Sequence, residues 1–272
     1  MDILKRELAP IPVGAWTEID AQATRSLKAM LSGRKALDVT GPMGTEFPGV
    51  PEGRLTYPPK QPKGGLTYGI RTVHHIVEVR VPFELDINEM DNVVRGAKDV
   101  DLSKLEEAAR STALFEEKVI YHGLPEANIK GLKVCAGNEC LTIGSKPEQL
   151  LEGIAEGVTT FTSRSIDGPY SFIVGPKLWS RMSAHVQGYP VKMQAESILG
   201  GPVLLSPYLS GDFENEAFML TKRGGDFELI LGQDLAIGYE SHSQTKVKLY
   251  FTESFTFRVL EPAAVMNFTA AK

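Results

Sequence analysis

Two stretches of the chain alternate strictly between apolar and polar positions. In the first, Val73, His75, Val77, Val79, Val81, Phe83 and Leu85 share one face. His74, Glu78, Arg80, Pro82, Glu84 and Asp86 share the other, with Ile76 as the exception. The pattern predicts one long half-buried strand over Val73–Asp86, and Pro82 places it at a sheet edge or a bulge. In the second, Lys246–Val259, the residues Val247, Leu249, Phe251, Phe255, Phe257 and Val259 form the apolar face. Glu253 falls on that face and breaks it. Shorter strands are predicted at Tyr170–Val174, Val203–Ser206, Ala217–Thr221, Phe227–Leu231 and Leu235–Tyr239.

Helical spacing predicts three main helices and a short one after Pro176. The first runs from Thr17 to Ser32, with Ile19, Ala23, Leu27, Met30 and Leu31 on one face. Thr17 and Asp20 loosely resemble a capping box, and Gly33 is its expected stop. The second opens at the capping pair Ser103 and Glu106 and runs to His122, with Gly123 ending it. Its stripe is Leu105, Ala108, Ala109, Thr112, Phe115, Val119 and Ile120. The third begins at Ser145, Pro147 and Glu148 and presents Leu150, Leu151, Ile154, Val158 and Phe161. The fold class is α+β.

Between the first helix and the first long strand lies Gly41–Gly69, with six prolines and seven glycines. Proline chemistry excludes helix there and nearly excludes a central strand. The expectation is an extended arm, in which Arg54–Tyr57 and Leu66–Arg71 pair as a thin ribbon. A two-stranded ribbon is marginal by itself, so it needs another surface, and that surface need not belong to the same chain.

The 272 residues suffice for one large domain or two moderate ones. The apolar and charged fractions, 42% and 23%, are those of a soluble globular protein. A net charge of −5 gives no electrostatic reason to expect nucleic acid or an anionic membrane as partner. There is no apolar run long enough for a transmembrane helix and no signal-peptide pattern at Met1–Leu8. Cys135 and Cys140 are expected to be free thiols, and the simplest compartment is a reducing cytoplasm.

The chemical candidates are few. His74 and His75 are neighbours on a strand and point to opposite faces, so they cannot jointly bind a metal. A lone CxxxxC pair lacks the second half of a zinc site. Glu253 is a carboxylate with a buried partner, a residue at an interface, or a catalytic group. Asp86, Glu89 and Asp91 read as a solvated turn. Arg223-Gly224-Gly225-Asp226 reads as a strand turn whose glycines take positive φ. No phosphate-binding loop, nucleophile elbow, HExxH or dinucleotide fingerprint occurs. The expectation is therefore a structural, assembling protein, with no catalytic residue, no metal and no cofactor.

An ordered set of short segments resembles the encapsulin shell family, known also as linocin-type bacteriocins. They are Leu4-Lys5-Arg6 with Leu8-Ala9-Pro10, Trp16 with Glu18-Ile19-Asp20, Gly33-Arg34-Lys35 with Asp38-Val39, and Asp91-Asn92 with Arg95-Gly96. Further on come Asp167-Gly168-Pro169-Tyr170 and Gly188-Tyr189-Pro190. The most specific block is Arg223-Gly224-Gly225-Asp226-Phe227, Leu231-Gly232-Gln233-Asp234-Leu235 and Ile237-Gly238-Tyr239, followed by Thr252-Glu253 and Phe255-Thr256-Phe257.

The resemblance implies an HK97-like capsid fold. Residues 1–40 (the N-terminal helix), 73–130 and 223–272 would form the P-domain, 41–72 the E-loop arm and 131–222 the A-domain. It implies self-assembly in the cytoplasm, with a sixty-subunit (T=1) shell expected from the short N-terminus. It implies cargo held through a C-terminal targeting peptide at Leu27, Met30, Leu31, Arg34, Asp38 and Asp234, although Leu27 and Leu31 could equally be core. Gln187, Gly188 and Tyr189 would form the tip of the five-fold pore loop and set what passes. Some members stack a flavin on a tryptophan after the long strand. Asn88 stands at that position here, so no flavin is expected. Ser210–Glu216 reads as a surface-loop insertion. The competing readings are a stand-alone hydrolase or bacteriocin-like protease built on Glu253, Asp226 or a histidine, and a phage major capsid protein.

Overall fold

The computed structural model describes residues 3–137, 139–144, 146–186 and 188–271. Its first half begins with α1 (Val13–Met30) and a single helical turn, α2 (Gly33–Ala36). Strand β1 (Asp38–Thr40) follows, and β2 (Gly49–Thr56) and β3 (Ile70–His75) then form the arm. Next are β4 (Val77–Asp86), α3 (Ile87–Arg95) and the long α4 (Ser103–His122). A small clip of β5 (Gly123–Leu124) and β6 (Ile129–Lys130) precedes α5 (Leu132–Cys135) and β7 (Cys140–Ile143). Then come α6 (Pro147–Ser163), β8 (Tyr170–Val174), α7 (Pro176–Met182), β9 (His185–Val186), β10 (Tyr189–Pro190) and α8 (Val191–Leu199). The chain closes with β11 (Val203–Leu205), β12 (Glu216–Thr221), β13 (Phe227–His242), β14 (Lys246–Val259) and β15 (Val265–Ala270).

Two sheets carry the body. One has the order β1-β13-β14-β4, the other β11-β8-β12-β15-β7. The predicted edge position of Pro82 is observed, since β4 ends its sheet and Pro82 lies opposite Tyr250. The single strand expected over Val73–Asp86 is two: its first part belongs to the arm and its second to the body, with the break at Ile76, the residue that violated the alternation. Conversely, Phe227–Leu231 and Leu235–Tyr239 are one strand. Its pairing with β14 shifts register at Leu231/Gln233, Gln233/Ala236 and Tyr239/Ser241, and these irregularities read as a gap in the sequence.

The first helix starts four residues before the expected Thr17. Pro12 is its N-cap and makes no side-chain cap bond, while Thr17 Oγ1 donates back to the Val13 carbonyl at 3.2 Å. Gly33 is the first residue of α2 rather than a stop. A Cβ there would sit 2.6 Å from Ile120 Cδ1, so α2 lies close on α4 only because Gly33 has no side chain. The second helix has the expected bounds and ends at Gly123, φ 85°. Its expected capping box does not form: Ser103 N–H donates to Asp101 Oδ1 at 3.0 Å, and Glu106 accepts from Gln22 on α1.

Strand β15 was not foreseen. It pairs antiparallel with β12 and parallel with β7, inside the five-stranded sheet. The segment 223–272 therefore divides between the sheets, and its last strand goes with 131–222. Two apolar clusters hold the body. One joins the five-stranded sheet, α6, α7, α8 and the end of α4 to Phe255 and Phe257 of β14. The other packs α1 and the start of α4 on Phe83, Leu85, Leu249 and Phe251.

Candidate docking and assembly surfaces

The arm is a two-stranded ribbon, buried at its root at Gly49 and Val50 and exposed along its outer part. Strands β2 and β3 pair from Gly49↔His75 to Thr56↔Ile70, with an irregularity between Pro51 and Leu55. The observed strands overlap the predicted pair but extend further toward the body. At the tip, Gln61 Nε2 donates to the carbonyls of Pro58 (2.9 Å) and Tyr68 (3.2 Å), and Tyr68 N–H donates to Gln61 Oε1. Leu55, Tyr57, Leu66, Tyr68, Ile70 and Val73 are all exposed, Tyr57 by 62%. A two-stranded ribbon is marginal by itself, and this one leaves these six large apolar side chains in solvent. At the root of the arm, His74 pairs with Glu52 at 3.2 Å and His75 is exposed, so the two histidines face opposite ways as predicted. A cleft of about 370 Å³ there is lined by Arg54, Lys130, Arg258 and Cys135 among others.

The six residues expected to receive a peptide fall into two groups. Leu27, Met30 and Leu31 are 8%, 8% and 6% exposed and belong to the core of α1 and α4. Arg34, Asp38 and Asp234 reach the surface. Asp38 accepts from the Gly225 N–H at 2.6 Å, and Gly224 and Gly225 both take positive φ, as their turn requires. Arg34 lies at the centre of an ion cluster. Its Nη1 donates to Asp234 at 2.8 Å, its Nε and Nη2 to Glu116 at 3.0 and 2.6 Å, and Nη2 also to Glu253. Burial opposes the Arg34 charge, but the Glu116 hydrogen bond and the charges of Glu116 and Glu253 outweigh it, and the guanidinium stays protonated above its ordinary range. Glu253 thus has a buried ion partner. Its side chain has no solvent exposure.

Two carboxylates central to this region were missed. Glu116 and Glu117 have no solvent exposure. Glu117 accepts from Ser32 Oγ, Gly33 N–H (2.8 Å) and Ser206 Oγ (3.0 Å), and Tyr121 OH lies 2.6 Å from Ser32 Oγ. Burial pushes its carboxyl up to about 7, against the hydrogen bonds from Ser32 and Gly33. The network ties α2, α4 and the end of β11. The signal was present: both residues continue the apolar stripe of α4, at three- and four-residue steps from Thr112 and Ala113.

Of the expected pore tip, Gln187 lies outside the described residues. Gly188 (φ 82°) and Tyr189, 66% exposed, stand at the turn between β9 and β10. Asn88 sits in the first turn of α3. Its N–H donates to Asp86 Oδ1 at 2.8 Å, and its side-chain oxygen accepts from Arg95. Asp226 is held by Arg223 and Thr221. The Ser210–Glu216 loop packs inward: Phe213 lies against His122 and Tyr208, and Glu216 accepts from Lys133 and pairs with His122. Cys135 and Cys140 are free thiols. Among the described residues no group of acidic, His or Cys side chains is placed to hold a metal ion, and no helix is long and apolar enough to cross a membrane.

Comparison with known proteins bears directly on this geometry. The model of the family described as "Encapsulating protein for peroxidase" matches residues 1–256. The type 1 encapsulin shell protein of Mycobacterium tuberculosis is 36% identical over 258 residues, covering 94% of this chain and 95% of the relative. This chain belongs to the encapsulin shell family. The encapsulin fold is also found in the virus-like particle of Pyrococcus furiosus, which matches at a TM-score of 0.64 and 15% identity over 93% of this chain and 98% of that one. The capsid of Myoviridae phage XM1 matches at 0.57 and 11% identity over 89% and 92%. The expected HK97-like capsid fold is thereby established, and the relatives are named as shell proteins.

Proposed function

We propose that this chain is the self-assembling shell subunit of a nanocompartment that encloses cargo protein. The observation that carries the reading is the arm. Six of its large apolar side chains, from Leu55 to Val73, stay exposed in the single chain, and a neighbouring copy supplies the surface that a bare ribbon requires. The preferred assembly is a closed shell of sixty copies, with the body divided into P- and A-domains. The β9–β10 turn, with Gly188 and Tyr189, lines a pore that passes small solutes.

Cargo docks through a C-terminal peptide on the face that bears Arg34, Asp38 and Asp234. The family's description as encapsulating a peroxidase supports an enclosed enzyme. Arg34, Asp38 and Asp234 anchor the peptide, while Leu27, Met30 and Leu31 contribute as buried core. The test is electron microscopy and light scattering of the purified chain. Closed particles are expected, and a monomer or dimer at micromolar concentration would overturn the reading. For docking, Asp234→Lys is expected to lower cargo loading while particles still form. Unchanged loading would move the dock elsewhere.

A further inference from the structure

Carboxyl groups from one helix and two strands crowd a single guanidinium. Arg34 on α2 meets Glu116 on α4, Glu253 on β14 and Asp234 on β13, and Glu117 adjoins Glu116 on the same helix. Strand β4 adds no charge on this face, since Val79 lies opposite Glu253. Asp234 is 48% exposed, but Glu116 and Glu253 have no exposure, so solvent does not screen them. If every carboxyl were ionised, the cluster would bury more negative than positive charge.

The decisive feature is one nitrogen serving two buried carboxyls. Arg34 Nη2 donates at once to Glu116 Oε2 and Glu253 Oε1, and neither carboxyl has any solvent exposure. Two ionised carboxylates held on one guanidinium repel each other, and a proton on one of them removes that repulsion. A second observation agrees. Glu253 Oε2 is buried and no donor reaches it. As part of an ionised group that oxygen would be a buried charge-bearing acceptor with no donor, and a proton on the carboxyl lowers that cost.

We propose that Glu116 and Glu253 share one proton at neutral pH and that this protonated pair positions Arg34. The pair engages Nε and Nη2 and leaves Nη1 directed at Asp234 on the surface. Burial, and then Glu116, hold the Glu253 carboxyl well above its ordinary range, against the pull of Arg34. Glu117 has its own donors and loses its proton near pH 7. Above that, the pair holds the last carboxyl proton of the cluster. A group whose folded-state affinity for a proton is raised stabilises at low pH and loses that contribution as pH rises. One such group weakens the folding equilibrium roughly tenfold per pH unit across its window. On the docking reading, which this consequence alone depends on, alkaline pH also draws Arg34 inward and frees Asp234.

Infrared spectroscopy of the assembled protein without cargo tests the pair directly. At about pH 9, roughly two units above the Glu117 titration, the wild type is expected to retain a protonated-carboxyl stretch that Glu253→Gln lacks. Between neutral pH and that point, the heat-unfolding midpoint of the wild type is expected to fall, while that of Glu253→Gln, a neutral mimic of the protonated form, stays level. A wild-type spectrum without the band overturns the proposal, as do parallel pH profiles. If Glu253→Gln does not fold, the wild-type band decides alone. Neither readout involves cargo, so a failure here leaves the docking reading intact.

Discussion

At the scale of single residues, the stability of this subunit depends on groups that ordinary patterning would call errors. Glu117 continues an apolar stripe and is fully buried, yet three donors converge on it. Glu117→Ala leaves Ser32, Gly33 N–H and Ser206 without their acceptor and is expected to cost about 3 kcal/mol, read from denaturant unfolding. The same carboxyl imposes a pH dependence. Its folded-state value of about 7 lies above the ordinary 4.5, so the folded form holds a proton that the unfolded chain has lost. This group's contribution is complete below pH 4.5 and drains by roughly 1 kcal/mol per unit as pH rises toward 7. Unfolding of Glu117→Gln across that range is expected to be less pH-dependent than that of the wild type. Gly175 is a purely steric case. A Cβ there would lie 1.8 Å from the Leu209 carbonyl oxygen, so Gly175→Ala is expected to cost about 3 kcal/mol, visible as a lowered melting temperature.

At the scale of elements, α1 and the arm behave oppositely. Leu27 and Met30 of α1 and its C-cap residue Leu31 are buried within their own chain, so Leu31→Asp places a charge in the core. It is expected to reduce soluble, folded protein before any question of cargo arises, a result that expression and circular dichroism reveal. The arm buries almost none of its apolar face internally. Deleting residues 48–66 is therefore expected to leave the body folded and to stop particle formation, as judged by size-exclusion chromatography with light scattering. Normal particles from that deletion would remove the arm's role. Strand β13 shows a third behaviour. It absorbs Gly232 and Asp234 in register shifts, which leave Asp234 out of the ladder and free to meet Arg34.

At the scale of the whole molecule, what the sequence determined was periodicity and its interruptions. The two alternating runs, the bounds of α4, the buried Tyr170–Val174 and the proline- and glycine-rich arm were legible because side-chain spacing maps directly onto local backbone geometry. The ordered motifs made the family legible as well. Contacts between distant segments were decided only in three dimensions. Spacing cannot say that Arg34, Glu116, Asp234 and Glu253 converge, because their grouping follows from how α2, α4, β13 and β14 pack. Nor could it place β15, which joins the five-stranded sheet across the domain boundary drawn from the motifs. Apolar spacing tells which face of a helix is buried but not what covers it. For that reason the Leu27–Leu31 face could read as a docking groove from the sequence, and only the packing of α1 on α4 made it core.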